Sequence, residues 1–352
     1  MKNKKFLFIL LLLGSLIIVF AMFYKQSPAD SRTSQILING SSKAFIYDID
    51  RNKISLIPKA QFAYGWSPSG KQLLYKNEEG LWVSRYDGDN PIKILDAVEH
   101  PQLNNGFPDA VWLTDRIVLV ESRIKYGNSS LYSIDLQSGV VTEISPSGGA
   151  LLTSPEGSYW LTQNKNVYLV TLDGTQKLIQ ELSNYSGLPI FLSGSSYRFS
   201  PDGTKLTYPV QANYPANAEL WIGDISKDGL TNTRLLIDPK DCNTQFGGDV
   251  RWSPDGKFIG YYGYREEKSL FCVSNTETGK TDVIWPVQYT SGTFLWSPIS
   301  NEVAIDNINA LGVINLLDLS TGESKILLNN QMLGLPERVT LYMMDWRLIS
   351  IP

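Results

Sequence analysis

The chain has a single histidine, His100, among 352 residues, and this scarcity removes several chemistries at once. A serine–histidine–aspartate system would have to be built on that one residue. Its surroundings, VEHPQLNNGFPD, supply Glu99 and Asp109 but no nucleophile, and no G-x-S-x-G elbow occurs anywhere in the chain. His100 therefore reads as a solvated loop histidine. One histidine and two cysteines do not make a usual zinc ligand set. Walker A and G-x-G-x-x-G sequences are also missing, so no nucleotide or other cofactor is expected and no catalytic residue is assigned. The net charge is −4, and the first 25 residues hold four lysines and no acid. The mildly acidic remainder argues against nucleic-acid binding, which needs cationic surface. After residue 30 no stretch keeps helical periodicity over a dozen residues, which argues against an α/β domain.

What is present begins at the N-terminus. Residues 1–5 are basic, and Phe6 to Tyr24 form an apolar run broken only by Gly14 and Ser15. At about 1.5 Å per residue such a helix approaches the roughly 30 Å hydrocarbon thickness of a bilayer. The run is long for the apolar region of a signal peptide, and AMFYKQSPADS offers no good small-x-small cleavage site. No cysteine follows it, which removes a lipoprotein anchor. The expectation is a single-pass anchor at 6–24 and a polar tether at 25–42. The remainder then lies outside the cytoplasm; if the N-terminus is cleaved, the protein is periplasmic or secreted instead.

Two hairpin types then alternate along the chain. The first is an aromatic strand ending in a Ser-Pro-x-Gly turn: YGWSPSGKQLLYK at 64, YRFSPDGTKLTYP at 197, VRWSPDGKFIGYYG at 250. Proline presets the turn and glycine supplies positive φ. Its aromatic position falls at Trp66, Trp112, Thr153, Phe199, Trp252, Trp296 and Trp346, a recurrence of 41 to 53 residues. The second type, with turns rich in Asp, Gly, Ser and Thr, starts at 45, 81, 131, 167, 220, 270 and 313. That period is one four-stranded propeller blade. The expected fold is an all-β, seven-bladed β-propeller over 43–352. Its closing blade should be split between an N-terminal hairpin (45–57) and a C-terminal pair (340–350). Six blades with extra terminal strands is the alternative.

WSPDGKFIGYY and FSPDGTKLTYP, each followed by an LW or LF strand, resemble the TolB-type, WD40-like propeller repeat. The resemblance covers about residues 43 to 350 and implies the propeller fold, which relatives of prolyl-oligopeptidase type share. The α/β domain that precedes the propeller in TolB has no counterpart here. Function is not implied, because it is grafted onto folds.

Five recurring tryptophans (66, 112, 252, 296, 346) read as packing between blades. YDGDN at 86 and DIDRNK at 48 lack the EF-hand pattern and read as turn chemistry, so no metal site is assigned. Cys242 and Cys272 are either one disulfide or two buried thiols. Long segments gather on one side of the ring, that of the second-to-third loops and the blade connections. They carry Phe107, Lys125, Tyr126, Tyr185, Tyr214, Phe246, Tyr264, Arg265, Trp285 and Tyr289. Such types on long loops form binding surfaces. The sequence thus reads as a membrane-anchored, non-catalytic binding or scaffold module whose partner is an envelope protein or another extracytoplasmic ligand. The alternative is a glycan or peptide lyase or hydrolase using acidic residues on the same face.

Overall fold

In the computed structural model the turn chemistry expected of the repeat is in place. Ser253 N–H donates to the Phe258 carbonyl (2.8 Å), and Gly256 N–H donates to the Ser253 carbonyl (2.9 Å). Ser253 Oγ donates to Asp255 Oδ1 at 2.6 Å and accepts from Phe258 N–H at 2.9 Å. Gly256 adopts φ +71°, where a side chain is penalised. The same backbone pair closes the turns at Ser67, Ser154 and Ser200. At 297, where the glycine is lost, Ser300 Oγ donates to Ser297 Oγ at 2.8 Å instead. The second hairpin turns work through Asp135, Asn275 and Asp318, whose side-chain oxygens each accept two following backbone N–H groups.

The structure describes residues 31–98, 109–123, 129–145, 149–164, 166–181, 197–211, 218–237, 242–244, 249–266, 268–287, 292–306, 311–337 and 339–351. The chain enters with β1 (Ser31–Gly40), β2 (Lys43–Asp48) and β3 (Lys53–Leu56). Blade 1 is β4 (Phe62–Trp66), β5 (Gln72–Asn77), β6 (Gly80–Arg85) and β7 (Ile92–Asp96). Blade 2 is β8 (Asp109–Trp112), β9 (Ile117–Arg123), β10 (Ser129–Asp135) and β11 (Val141–Ser145). Blade 3 is β12 (Gly149–Thr153), β13 (Tyr159–Asn164), β14 (Asn166–Thr171) and β15 (Gln176–Gln180). Blade 4 is β16 (Arg198–Phe199), β17 (Lys205–Gln211), β18 (Ala218–Ser226) and β19 (Gly229–Ile237). A short strand, β20 (Asn243–Thr244), precedes blade 5, which is β21 (Val250–Trp252), β22 (Phe258–Arg265), β23 (Lys268–Asn275) and β24 (Thr281–Pro286). Blade 6 is β25 (Phe294–Trp296), β26 (Glu302–Asp306), β27 (Val313–Asp318) and β28 (Ser324–Asn329), and β29 (Tyr342–Ile351) ends the series.

The seventh blade has the order β29-β1-β2-β3. The ring therefore has seven blades and is closed by strands from both terminal regions, as expected, but the split differs. Three of its strands come from the N-terminal region and a single strand from the C-terminal region, where a two-and-two division was expected. Residues 31–40, expected within a polar tether, are β1 itself. Its buried Ile36, Leu37 and Ile38 place it in the core, and its ladder with β29 runs from Ser31↔Ile351 to Asn39↔Tyr342 with one bulge. The polar flanks QSPADSRTSQ and NGSS mask this short apolar centre in the sequence. First strands of successive blades neighbour one another (β29 beside β4, β4 beside β8, β8 beside β12, β16 beside β21, β21 beside β25, β25 beside β29), so they line the centre.

The core lies in the seams. Seven apolar clusters each join two neighbouring blades, as in Leu74, Leu81 and Val83 against Trp112, Val118 and Val120. The five recurring tryptophans are at most 8% exposed, and each belongs to a different seam. Three of them also donate across it. Trp112 Nε1 reaches the Gly65 carbonyl (3.1 Å), Trp252 Nε1 that of Arg198 (3.2 Å) and Trp296 Nε1 that of Arg251 (3.0 Å). Each acceptor is the residue just before the repeat aromatic of the preceding blade. Between the closing blade and blade 1, the Asn39 amide makes the same kind of link, accepting from Ala63 N–H and donating to its carbonyl, both at 2.9 Å. Residues 1–30 lie outside the described residues; among the described ones no helix is long and apolar enough to cross a membrane.

Candidate functional site

Of the residues singled out from the sequence, Phe107, Lys125, Tyr126, Tyr185, Tyr214, Phe246 and Tyr289, with His100, lie outside the described residues. Tyr264 and Arg265 end β22 on the side of the long connections. Arg265 is exposed, and Tyr264 pairs with Ser269 on β23 and with Asn243 on β20. Trp285, next to last in β24, packs against the apolar seam between blades 5 and 6. A methyl built on Gly322, in a turn of blade 6, would come within 3.1 Å of its ring. Cys242 and Cys272 form a disulfide, both fully buried. It ties the connection between blades 4 and 5 to the middle of β23. Next to it, β20 pairs with β18 and with β22, so the two blades share one sheet.

The sequence reading missed a charged cluster on the inner strands of blades 4 and 5 and the second strand of blade 6. Asp249, directly before β21, is nearly buried and accepts from two arginines. Arg198 Nη2 on β16 reaches Oδ1 at 2.9 Å, and Arg251 Nε on β21 reaches Oδ2 at 2.5 Å. Both arginines occupy one repeat position, immediately before Phe199 and Trp252, and the next blade's indole holds the backbone carbonyl of each. The signal was visible: the two best turn copies read R-F-S-P-D-G and R-W-S-P-D-G.

Blade 6 adds a carboxyl to this cluster. Asp306, the last residue of β26, accepts from Thr293 N–H at 2.8 Å and Thr293 Oγ1 at 3.0 Å. Burial pushes its carboxyl up from the usual value to about 6; the Thr293 hydrogen bonds and Arg251 oppose this, and Asp249 adds to it. Tyr262 Oη donates to the Thr293 carbonyl at 3.2 Å, and burial, then Asp306, raises that phenol well above its ordinary value. Inner strands start on the side of the long connections and second strands return to it. Asp249, Thr293 and Asp306 therefore mark the mouth of the ring on that side. Across the ring, burial lowers Lys76 on β5 to about 8 against the opposing pull of Asp109, and its ammonium lies 5.9 Å from the centre of the Phe62 ring.

The fold has many counterparts among solved structures. Oligogalacturonate lyase from Vibrio parahaemolyticus is similar at 13% identity and TM-score 0.53, over 85% of this chain and 87% of that one. Dihydro-heme d1 dehydrogenase NirN is similar at 13% identity and TM-score 0.52, over 91% of this chain and 77% of that one. TolB from Acinetobacter baumannii is similar at 16% identity and TM-score 0.47, over 77% of this chain and 68% of that one. No family model and no curated protein matches the chain. At these identities the likeness is one of fold.

Proposed function

We propose that the chain is an extracytoplasmic β-propeller, tethered to the membrane through residues 6–24, that binds a partner without catalysing a reaction. Its binding face is the side of the long connections. The observation that carries this reading is Asp249, directly before β21 on that side, nearly buried and gripped by two partly open arginines of the inner strands. Rigidly placed guanidiniums are well suited to recognition. The disulfide supports a location outside the cytoplasm, where such bonds persist.

The test is cross-linking of the full chain, in mild detergent, against an envelope extract of the source organism. A variant carrying Tyr214→Ala, Tyr264→Ala and Arg265→Ala probes the face, and Lys257→Ala in the opposite turns is the control. One defined protein, captured by wild type and control and lost from the face variant, is expected. Equal capture by all three would remove this face from the reading. No reproducible capture would weaken the binding reading and turn attention to turnover of glycans and peptides.

One observation favours the enzyme alternative: Asp306, held at about 6 beside Asp249, titrates where a general acid works. Against it, both Asp306 oxygens are already taken by Thr293.

A further inference from the structure

The arginine pair carries an inference about ligand chemistry, and it rests on the binding-face reading above. A blade staple needs one guanidinium on one carboxylate. Here two converge on Asp249, each side chain partly open (22% for Arg198, 24% for Arg251) while Asp249 is only 7% exposed. Arg251 spends only Nε on the protein, so its two Nη groups have no hydrogen-bond partner among the described residues. The indoles of Trp252 and Trp296 fix the backbone of both arginines from the next blade, so the pair is set before any ligand arrives. A planar guanidinium edge of this kind matches a carboxylate in a two-point geometry.

We propose that Arg198 and Arg251 form a subsite for the carboxylate of a ligand entering the ring from the side of the long connections, with the Nη groups of Arg251 as the principal donors. Two sources present that group, the C-terminus of a peptide and an acidic sugar. Inorganic phosphate is the competing anion.

The test uses the full chain in mild detergent and ligand-observed NMR with four probes: N-acetyl-alanine, glucuronate, the neutral N-acetyl-alaninamide, and inorganic phosphate. At least one carboxylate should bind with a Kd of about 1 mM, the amide not at all, and phosphate more weakly; the tighter acid identifies the source. Arg251→Ala should weaken acid binding about tenfold or more. Arg251→Lys keeps the charge on Asp249 without the fork, so it guards against misfolding of the alanine variant and should also lose most of the binding. Unfolding midpoints confirm that each variant is folded.

The proposal is overturned if the folded wild type binds neither acid, or if the amide binds as well as the acid. Preference for phosphate, or acid binding unchanged in both variants, also overturns it. Failure here is separable from failure of the binding reading. Capture through the Tyr264 and Arg265 face without carboxylate binding removes only the subsite. Carboxylate binding without a captured protein keeps the subsite and removes the protein-partner reading.

Discussion

Asp306 shows how a single side chain sets a measurable property. Folding raises its pKa to about 6, so the folded chain keeps a proton there that the unfolded chain has already released. Between about pH 4 and 6 the native state thus binds more protons, and the group's contribution to stability falls as pH rises through that window. Asp306→Asn, which does not titrate, should reduce this fall; urea midpoints of wild type and variant across the window check it. Identical slopes would show that Asp306 ionises normally. The seam indoles make a second residue-level prediction. Trp296→Phe keeps most of the apolar ring but removes the donor to the Arg251 carbonyl. It should cost about 0.5 to 1.5 kcal/mol through the lost hydrogen bond, read as a lower denaturation midpoint.

Recurrence and turn chemistry made much of this scale legible. The SP-x-G turns and the seam tryptophans could be read because their roles repeat with the blade. The charged cluster could not be assembled the same way. Asp249 and Asp306 lie 57 positions apart in sequence and influence each other only because blades 5 and 6 stand side by side. Arg198 and Arg251 did repeat, but the aromatic beside each drew the reading away from them.

At the scale of elements, blade 5 is bound to its neighbours in two ways. The Cys242–Cys272 bridge spans a sequence separation of 30 and, in the loop-entropy account, stabilises by about 3 to 4 kcal/mol. The Cys242→Ala/Cys272→Ala double variant, or reduction of the wild type, should lower the unfolding midpoint accordingly; an unchanged midpoint would count against a bridge in solution. The second device is the seam with blade 6, where Tyr262, Phe271 and Phe294 meet edge to face at 4.8 to 5.8 Å. Gly260 makes room for them: a methyl there would stand 2.7 Å from Phe294. Gly260→Ala should cost about 1 to 3 kcal/mol by overpacking. The bridge stood as one of two readings in the sequence. The glycine was invisible, since only the packed seam shows what its missing side chain would strike.

For the whole molecule, blade count was readable because strand pairs alternate with a fixed period. The position of the split was not, because β1 offers only three buried apolar residues between polar flanks. Closure is testable directly. A chain ending at Leu341 lacks β29 and leaves the inner edge of β1 unpaired, so it should associate on size-exclusion chromatography and lose a single sharp unfolding transition. A synthetic peptide of residues 342–351 should restore the monomer; a truncated chain that stays monomeric and unfolds as sharply as wild type would mean the ring does not depend on its last strand.

The three-and-one division also orders events in time. Trp346 Nε1 donates to Ser34 Oγ at 2.7 Å across 312 positions, and the ladder beside it pairs Ser31 with Ile351. Contacts of that reach form slowly, because the chain between them must first be organised. Six blades can assemble as they are made, while β1, β2 and β3 wait with one side unpartnered. The seventh seam is thus a clock set by synthesis, and a nascent chain remains open to chaperones and proteases until its final strand is delivered.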